Sequence, residues 1–195
     1  MRRLELSLFA DEVTEVPSET VVVLVPTDER PLRGDAARID WRLDGQLSEL
    51  LRLGYASGES GEAVLVPADL PLYAYRVLMV GVGARRKLDI EEGRPLLRAM
   101  HSAVSRLISL RSSSGLIAAC ESVDYALDSV SLLRGLIDGL RLSPEDSVLR
   151  IRLPGAERIG KALRGALVEL EQFAHEAEVE VVVRRNESEL AALSG

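Results

Sequence analysis

Hydrophobic residues in this chain follow two alternating patterns. Short apolar runs such as VVVLV, VLMVGV and LIAA are typical of strands that are covered on both faces of a sheet. These runs predict strands at Leu4–Phe9, Thr20–Val25, Ala63–Val66, Arg76–Val82, Gly115–Ala119, Ser147–Leu153 and Val179–Val183.

Between these runs, apolar residues recur every three or four positions, which places them on one face of a helix. The spacing predicts helices over Asp35–Leu53, Ile90–Leu110, Ala126–Leu140 and Ala156–Glu176. Strands that alternate with helices predict an α/β fold, a three-layer α/β/α sandwich with a mixed, largely parallel sheet. Because no stretch is rich enough in Pro, Gly or Ser to form a linker, we expect one domain over residues 1–195. Within it, residues 142–195 add a strand-helix-strand unit.

Three large apolar residues are candidates for a contact surface. Trp41 lies opposite the apolar stripe of its predicted helix, on the side that should face water. Leu132 and Leu136 widen the stripe of their helix beyond the arc that one packed face needs. Exposed groups of this kind often mark an interface, which predicts a homo-oligomer or a protein partner. The alternative is that other segments of the same chain cover them, as the residues after 142 could do.

The charge balance and the single cysteine narrow the cellular setting. The net charge is −7, with 31 acidic and 24 basic residues, and this field disfavours binding to nucleic acid or to an anionic membrane. No apolar run approaches the roughly 18 residues that a membrane span needs. The N-terminus lacks the apolar region of a secretory signal, and the one cysteine forms no intrachain disulfide. We therefore expect a cytoplasmic protein.

The chain carries no recognisable catalytic or metal-binding pattern. His101 and His175 are the only histidines, and neither has a second histidine or cysteine at ligand spacing. No Gly-x-Ser-x-Gly segment occurs. Gly81 and Gly83 end a predicted strand without the third glycine of a dinucleotide fingerprint. The sequence predicts no catalytic residue, no metal and no cofactor.

One long stretch carries a family resemblance. It is VVVLVPTDERPLRGDAARIDWRLDGQLSELLRLGYASGESGEAVLVPADLPLYAYRVLMVGVG, from Val21 to Gly83. In its order of strand, helix, Gly-rich turn and two strands it resembles the N-terminal domain of the M17 leucyl aminopeptidases, whose fold is related to the macro domains. The resemblance continues loosely to Leu140.

The resemblance implies an accessory role rather than peptidase chemistry. In M17 enzymes this domain lies outside the catalytic body and contributes to subunit organisation. The family's catalytic signature, Asn-Thr-Asp-Ala-Glu-Gly-Arg-Leu, does not occur in this sequence. We therefore expect a domain that stands alone without the catalytic half, as a non-catalytic assembly, interaction or regulatory module. A separate aminopeptidase-type subunit is one partner that the resemblance suggests.

The relation to macro domains implies a competing function, the binding or hydrolysis of ADP-ribose or a related nucleotide. Macro domains that bind ADP-ribose usually have an Asn-Ala-Ala-Asn loop followed by a run of glycines. Here Pro26 removes one N–H donor from the matching loop, and Asp35 adds negative charge. The candidate ligand-binding residues under this alternative are Asp11, Glu12, Thr27, Asp28, Gly34, Gly81 and Gly83. A third class, nucleic-acid binding as in some bacterial family members, is disfavoured by the acidic balance.

Overall fold

The structure, a computed structural model, describes residues 1–9, 12–68, 72–84, 94–121, 123, 128–154 and 157–184. The strands are β1 Arg2–Phe9, β2 Thr20–Pro26, β3 Ala63–Pro67, β4 Arg76–Gly83, β5 Ser114–Ala119, β6 Val148–Pro154 and β7 Val179–Arg184. The helices are α1 Gly34–Arg42, α2 Gln46–Arg52, α3 Arg94–Ser109, α4 Ser129–Arg141, α5 Glu157–Glu169 and α6 Glu171–Glu176.

The strands form one seven-stranded sheet in the order β3-β4-β2-β5-β6-β1-β7. Strand β3 is antiparallel to β4, and the other neighbours are parallel. The predicted α/β fold with a mixed, largely parallel sheet is confirmed. Every predicted strand is present, with ends that differ by at most two residues.

The two faces of the sheet bury separate apolar clusters, because successive side chains of a strand point to opposite sides. Val21 and Val23 of β2 join the cluster beneath α1 and α2. Val22 and Leu24 join the cluster beneath α3, α4 and α5. These two clusters produce the three-layer arrangement that the apolar runs predict.

The single helix predicted over Asp35–Leu53 is wrong, because the chain breaks into α1 and α2. Asp44 and Gly45 have φ angles of 52° and 79°. This left-handed backbone ends α1 and turns the chain into α2. Ile39 of α1 and Leu47 of α2 are both buried in the same cluster. The apolar spacing therefore continues across the break and hides it.

Asp40 fixes the turn between α1 and α2. Asp40 is buried, and its Oδ1 accepts the backbone N–H of Leu47 at 2.8 Å and of Ser48 at 3.0 Å. These donors belong to the first turn of α2, where a helix has no N–H partners of its own. Asp40 thus caps α2 from within α1.

The other predicted helices also differ in extent. The helix predicted over Ala156–Glu176 is divided into α5 and α6, with Leu170 between them at φ −99° and ψ 7°. The helices predicted from Ile90 and from Ala126 are α3 and α4, and their first predicted residues lie outside the described part of the chain.

The predicted exposure of Leu132 and Leu136 is wrong, since both side chains are fully buried. Helix α4 is packed between α3 and α5. A Cβ at Gly135 would lie 2.4 Å from the carbonyl oxygen of Leu97, so α3 approaches closely on that side. The Ser129 hydroxyl donates to the Ala162 carbonyl of α5 at 3.3 Å. The wide apolar stripe of α4 is therefore covered by the chain itself, partly by the segment after residue 142.

Candidate functional site

The structure brings most of the predicted ligand-binding residues to one edge of the sheet. Thr27 and Asp28 follow β2, Gly34 begins α1, and Gly81 and Gly83 lie at the end of β4. The carboxyl ends of parallel strands meet at a common edge, which is where α/β sheets usually bind ligands. We call this region, formed by the ends of β2, β4 and β5 and the described residues that follow β2, the carboxyl edge.

Of the two acidic candidates from the loop after β1, the structure describes Glu12. Glu12 forms an ion pair with Arg38 of α1, with Oε1 3.1 Å from Nε. Asp11 lies outside the described residues. Arg38 also donates to the Asp35 carboxylate at 2.7 Å, so Glu12 is committed to a charge cluster on α1.

Three backbone N–H groups at the carboxyl edge are bound by the chain itself. The Thr27 N–H donates to the Gly83 carbonyl at 3.0 Å, and the Gly83 N–H donates to the Gly58 carbonyl at 2.8 Å. The Glu121 N–H donates to the Glu29 carboxylate at 3.2 Å. A bound phosphate would need donors of this kind, presented together and free.

A loop of residues 57–62 packs directly against this edge. A Cβ at Gly58 would lie 2.7 Å from the Pro26 carbonyl oxygen, and Gly58 has φ +84°. A Cβ at Gly81 would lie 2.0 Å from the Glu59 carbonyl oxygen. Both glycines are therefore required by contact between two segments of the chain. A glycine inside an apolar strand run is the sequence signal that could have revealed this contact.

Glu62 holds the loop in shape. Its Oε2 accepts the backbone N–H groups of Ser57 and Gly58, each at 2.7 Å. Burial acts to raise the pKa of Glu62, but these hydrogen bonds outweigh it and hold the pKa below its ordinary value. The loop is thus closed by a carboxylate that stays ionised at neutral pH.

Arg30 joins the loop to the end of β2. Its Nη1 donates to the carbonyls of Pro26 at 2.7 Å and Glu29 at 2.8 Å, and its Nη2 donates to the Ser57 carbonyl at 3.0 Å. The guanidinium therefore binds three oxygens of its own chain. Sequence reasoning missed Glu29, Arg30 and Glu62, because their partners are set by the tertiary fold rather than by local spacing.

The charges at the carboxyl edge disfavour an anionic ligand, and burial there suppresses the reactivity of the Cys120 thiol. Asp35 lies in the first turn of α1, and burial raises its pKa although Arg38 acts in the other direction. Its carboxyl group occupies the helix terminus that would attract a phosphate. Burial, together with the Glu29 charge, raises the pKa of Cys120 to about 12. That thiol stays protonated and unreactive near neutral pH.

Acidic, histidine and cysteine side chains do not gather into a metal site among the described residues. Within the ranges given above, no cluster of three or more His, Cys, Asp or Glu side chains could hold a metal ion. His101 lies in α3 and His175 in α6. In the same ranges, none of the helices is both long and apolar enough to cross a membrane.

Trp41 forms a different kind of surface on the outside of α1. Its side chain is 77% exposed, as the helical spacing predicts. A shallow cleft of about 670 Å³ lies beside it, lined also by Asp40, Arg42 and Asp44. Leu53 and Tyr55 at the end of α2 are exposed apolar residues of the same helical layer. We call the outer side of α1 and α2 the Trp41 surface.

Comparison with known proteins relates the chain to one family. Residues 21–143 match the profile of the cytosol aminopeptidase family, N-terminal domain. A probable cytosol aminopeptidase of Idiomarina loihiensis is 36% identical over 94 residues, covering 48% of this chain and 19% of that protein. The cytosol aminopeptidase of Pseudomonas aeruginosa is 29% identical over 127 residues, covering 65% of this chain and 26% of that protein. The match thus spans about a fifth to a quarter of the relatives' length.

Solved structures show the same fold. A tomato leucine aminopeptidase mutant superposes with a TM-score of 0.61 at 14% identity, covering 84% of this chain and 35% of that one. An Oceanobacillus iheyensis macrodomain with ADP gives a TM-score of 0.63 at 13% identity, covering 85% of this chain and 90% of that one. The predicted macro-domain-like architecture is confirmed.

Proposed function

We propose that this chain, which belongs to the N-terminal domain family of the cytosol aminopeptidases, is a non-catalytic cytoplasmic assembly module. It self-associates or docks a protein partner through the Trp41 surface. The observation that carries this proposal is the indole of Trp41, which is 77% exposed on a helix.

An exposed indole is well suited to anchor an interface. A tryptophan buries about 150–250 Å² of surface when it is covered, and apolar burial contributes about 25 cal/mol per Å². Tryptophan is also enriched among the few residues that dominate binding energies. Arg42 and Asp44 beside the cleft supply the polar rim that usually surrounds such an anchor.

The Trp41 surface is held rigid before any partner arrives. Asp40, the neighbour of Trp41, is buried and fixes the start of α2 through two backbone hydrogen bonds. An anchor on a fixed helix loses little conformational freedom on binding, so more of the contact energy appears as affinity.

The carboxyl edge supports the non-catalytic part of the proposal. Its backbone donors are bound by the chain itself, and its one thiol has a pKa of about 12. A separate aminopeptidase-type subunit is the partner class that the relationship to the cytosol aminopeptidase family suggests.

The test compares Trp41→Ala with a control at an equally exposed apolar residue, Val168→Ala. Val168 is 77% exposed and lies on α5, across the sheet from α1. We expect Trp41→Ala to weaken self-association or partner binding by at least about 2 kcal/mol, measured by sedimentation or light scattering. Its unfolding free energy should stay within about 0.5 kcal/mol of the wild type. Val168→Ala should leave assembly unchanged.

Two results would contradict the proposal. One is a wild type that is monomeric and retains no partner from a cell lysate. The other is a Trp41→Ala variant that unfolds, because an anchor exposed to solvent should contribute almost nothing to the stability of the isolated chain.

A further inference from the structure

Three of the seven strands, β6, β1 and β7, have helices packed on one face only, within the described residues. Leu4, Leu6 and Leu8 of β1 pack into the cluster beneath α3, α4 and α5. The intervening Arg3, Glu5 and Ser7 therefore point to the opposite side. The cluster beneath α1 and α2 contains no described residue of β6 or β7 and, of β1, contains Phe9 at the end of the strand. The strands β6, β1 and β7 thus present an open face on that side.

The strand register makes this open face rich in arginine. Arg3 is aligned with Val148 and Glu180, Glu5 with Arg150 and Val182, and Ser7 with Arg152 and Arg184. Aligned residues of neighbouring strands share a face of the sheet. We call this surface, with four arginines and two glutamates, the arginine face. It has a local excess of positive charge in a chain whose net charge is −7.

Glu5 positions the arginines without neutralising them. It is buried and accepts hydrogen bonds from Arg150 Nε at 3.2 Å and Arg184 Nη2 at 3.0 Å. It also lies 3.3 Å from Arg3 Nε. One carboxylate therefore organises three guanidinium groups. The side chains of Arg150 and Arg184 remain 55% and 54% exposed, which leaves their other donors towards solvent.

We infer that the arginine face binds an acidic, extended segment of a protein partner. Arg150 and Arg152 are two residues apart on β6, which separates them by about 6.6 Å along the strand. Carboxylates on alternate residues of an extended segment have the same spacing. A planar guanidinium fork held in place binds a carboxylate through two parallel hydrogen bonds.

A protein segment fits this face better than a nucleic acid does. The acidic balance of the whole chain repels a polyphosphate duplex over long range. A short acidic segment carries few charges, so the local arginines outweigh that field. Arg152, whose Nη1 donates to the Pro17 carbonyl, also lines a cleft of about 590 Å³. Glu19 forms part of this cleft, and its apolar side, with Leu72 and Tyr73, gives an apolar neighbour of the acidic residues a place to bind.

Fluorescence anisotropy with a labelled peptide of about eight glutamates tests the inference, at about 50 mM salt, where charge attraction is weakly screened. A glutamine peptide of equal length is the control ligand. We expect the glutamate peptide to bind, and Arg152→Gln to weaken it about fivefold, the upper effect of an exposed ion pair. The double variant Arg150→Gln with Arg184→Gln should weaken it further.

Matched variants separate this surface from others. Arg141→Gln, at the exposed end of α4, makes the same charge change elsewhere and should leave binding unaltered. Arg152→Gln leaves the hydrogen bonds to Glu5 in place, so its result does not depend on how well the double variant folds. Trp41→Ala should bind the peptide as the wild type does, which distinguishes the arginine face from the Trp41 surface.

The inference is overturned by any of four results. The glutamine peptide binds as tightly as the glutamate peptide, or neither binds at about 1 mM. Arg141→Gln weakens binding as much as Arg152→Gln does. A short DNA duplex binds more tightly than the glutamate peptide under the same conditions, which would assign the face to phosphate.

Discussion

The carboxyl edge of the sheet and the Trp41 surface use their exposed groups in opposite ways. At the carboxyl edge, polar groups that a ligand would need are bound by Glu29, Arg30 and the loop of residues 57–62. On α1, a large apolar side chain is left in water with no described segment covering it. Binding of another molecule is therefore expected where the chain leaves an exposed group without a contact of its own.

The side-chain contacts of these two regions say more about this chain's function than its fold does. Both the tomato leucine aminopeptidase and the Oceanobacillus iheyensis macrodomain share the architecture at 13–14% identity. Fold likeness at this level does not determine which edge of the sheet is used. Side-chain contacts at the two regions are the stronger guide, and variants in each region test them.

The largest effect should come from opening the carboxyl edge with Gly58→Ala. The added Cβ would lie 2.7 Å from the Pro26 carbonyl oxygen, at a φ of +84°. Left-handed backbone costs an L-residue about 1–2 kcal/mol, and overpacking costs about 1–3 kcal/mol. We expect a loss of about 3 kcal/mol in unfolding free energy, measured by urea denaturation.

Gly61→Ala separates those two contributions. Gly61 has φ +92°, but nothing lies within 4 Å of its added Cβ. This control should lose only about 1 kcal/mol, the backbone contribution alone. Equal losses of unfolding free energy at the two glycines would show that the loop does not press against β2. The close packing of residues 57–62 on the carboxyl edge would then be wrong.

A smaller effect is expected at the Trp41 surface from Asp40→Ala. The change removes the acceptor of the Leu47 and Ser48 N–H groups at the start of α2. Loss of an N-terminal cap with partly buried donors costs about 2 kcal/mol. Chemical denaturation should show this loss, and Asp40→Asn should recover part of it because its amide oxygen still accepts. An unchanged unfolding free energy would mean that the α1–α2 turn is held by other contacts.

The sheet could be predicted from the sequence because its signal is local. Runs such as VVVLV in β2 are apolar at every position, and this central strand buries both of its faces. The family resemblance from Val21 also followed from this order of elements. Trp41 was placed correctly because a single helical turn determines which side it faces.

The remaining features depend on contacts that sequence spacing does not encode. The break at Asp44 was hidden because Ile39 and Leu47 pack into one cluster on either side of it. Leu132 and Leu136 are buried because two other helices enclose α4. At the carboxyl edge, Glu29 meets Glu121 across 92 residues of sequence, and no local pattern announces such a pair.

The smallest expected effect is that of ADP-ribose, for which we expect no measurable binding by calorimetry up to about 1 mM. Pro26 offers no N–H, the Glu121 N–H is bound by Glu29, and Asp35 occupies the first turn of α1. A diphosphate would have to displace the hydrogen bond between Glu121 and Glu29 and lie beside the Asp35 carboxyl group, and both requirements cost binding free energy. A mutant of the Oceanobacillus iheyensis macrodomain that has been solved with ADPR serves as the positive control under the same conditions. A low-micromolar Kd for this chain would show that the loops at the carboxyl edge open, and it would reverse the contrast with the Trp41 surface.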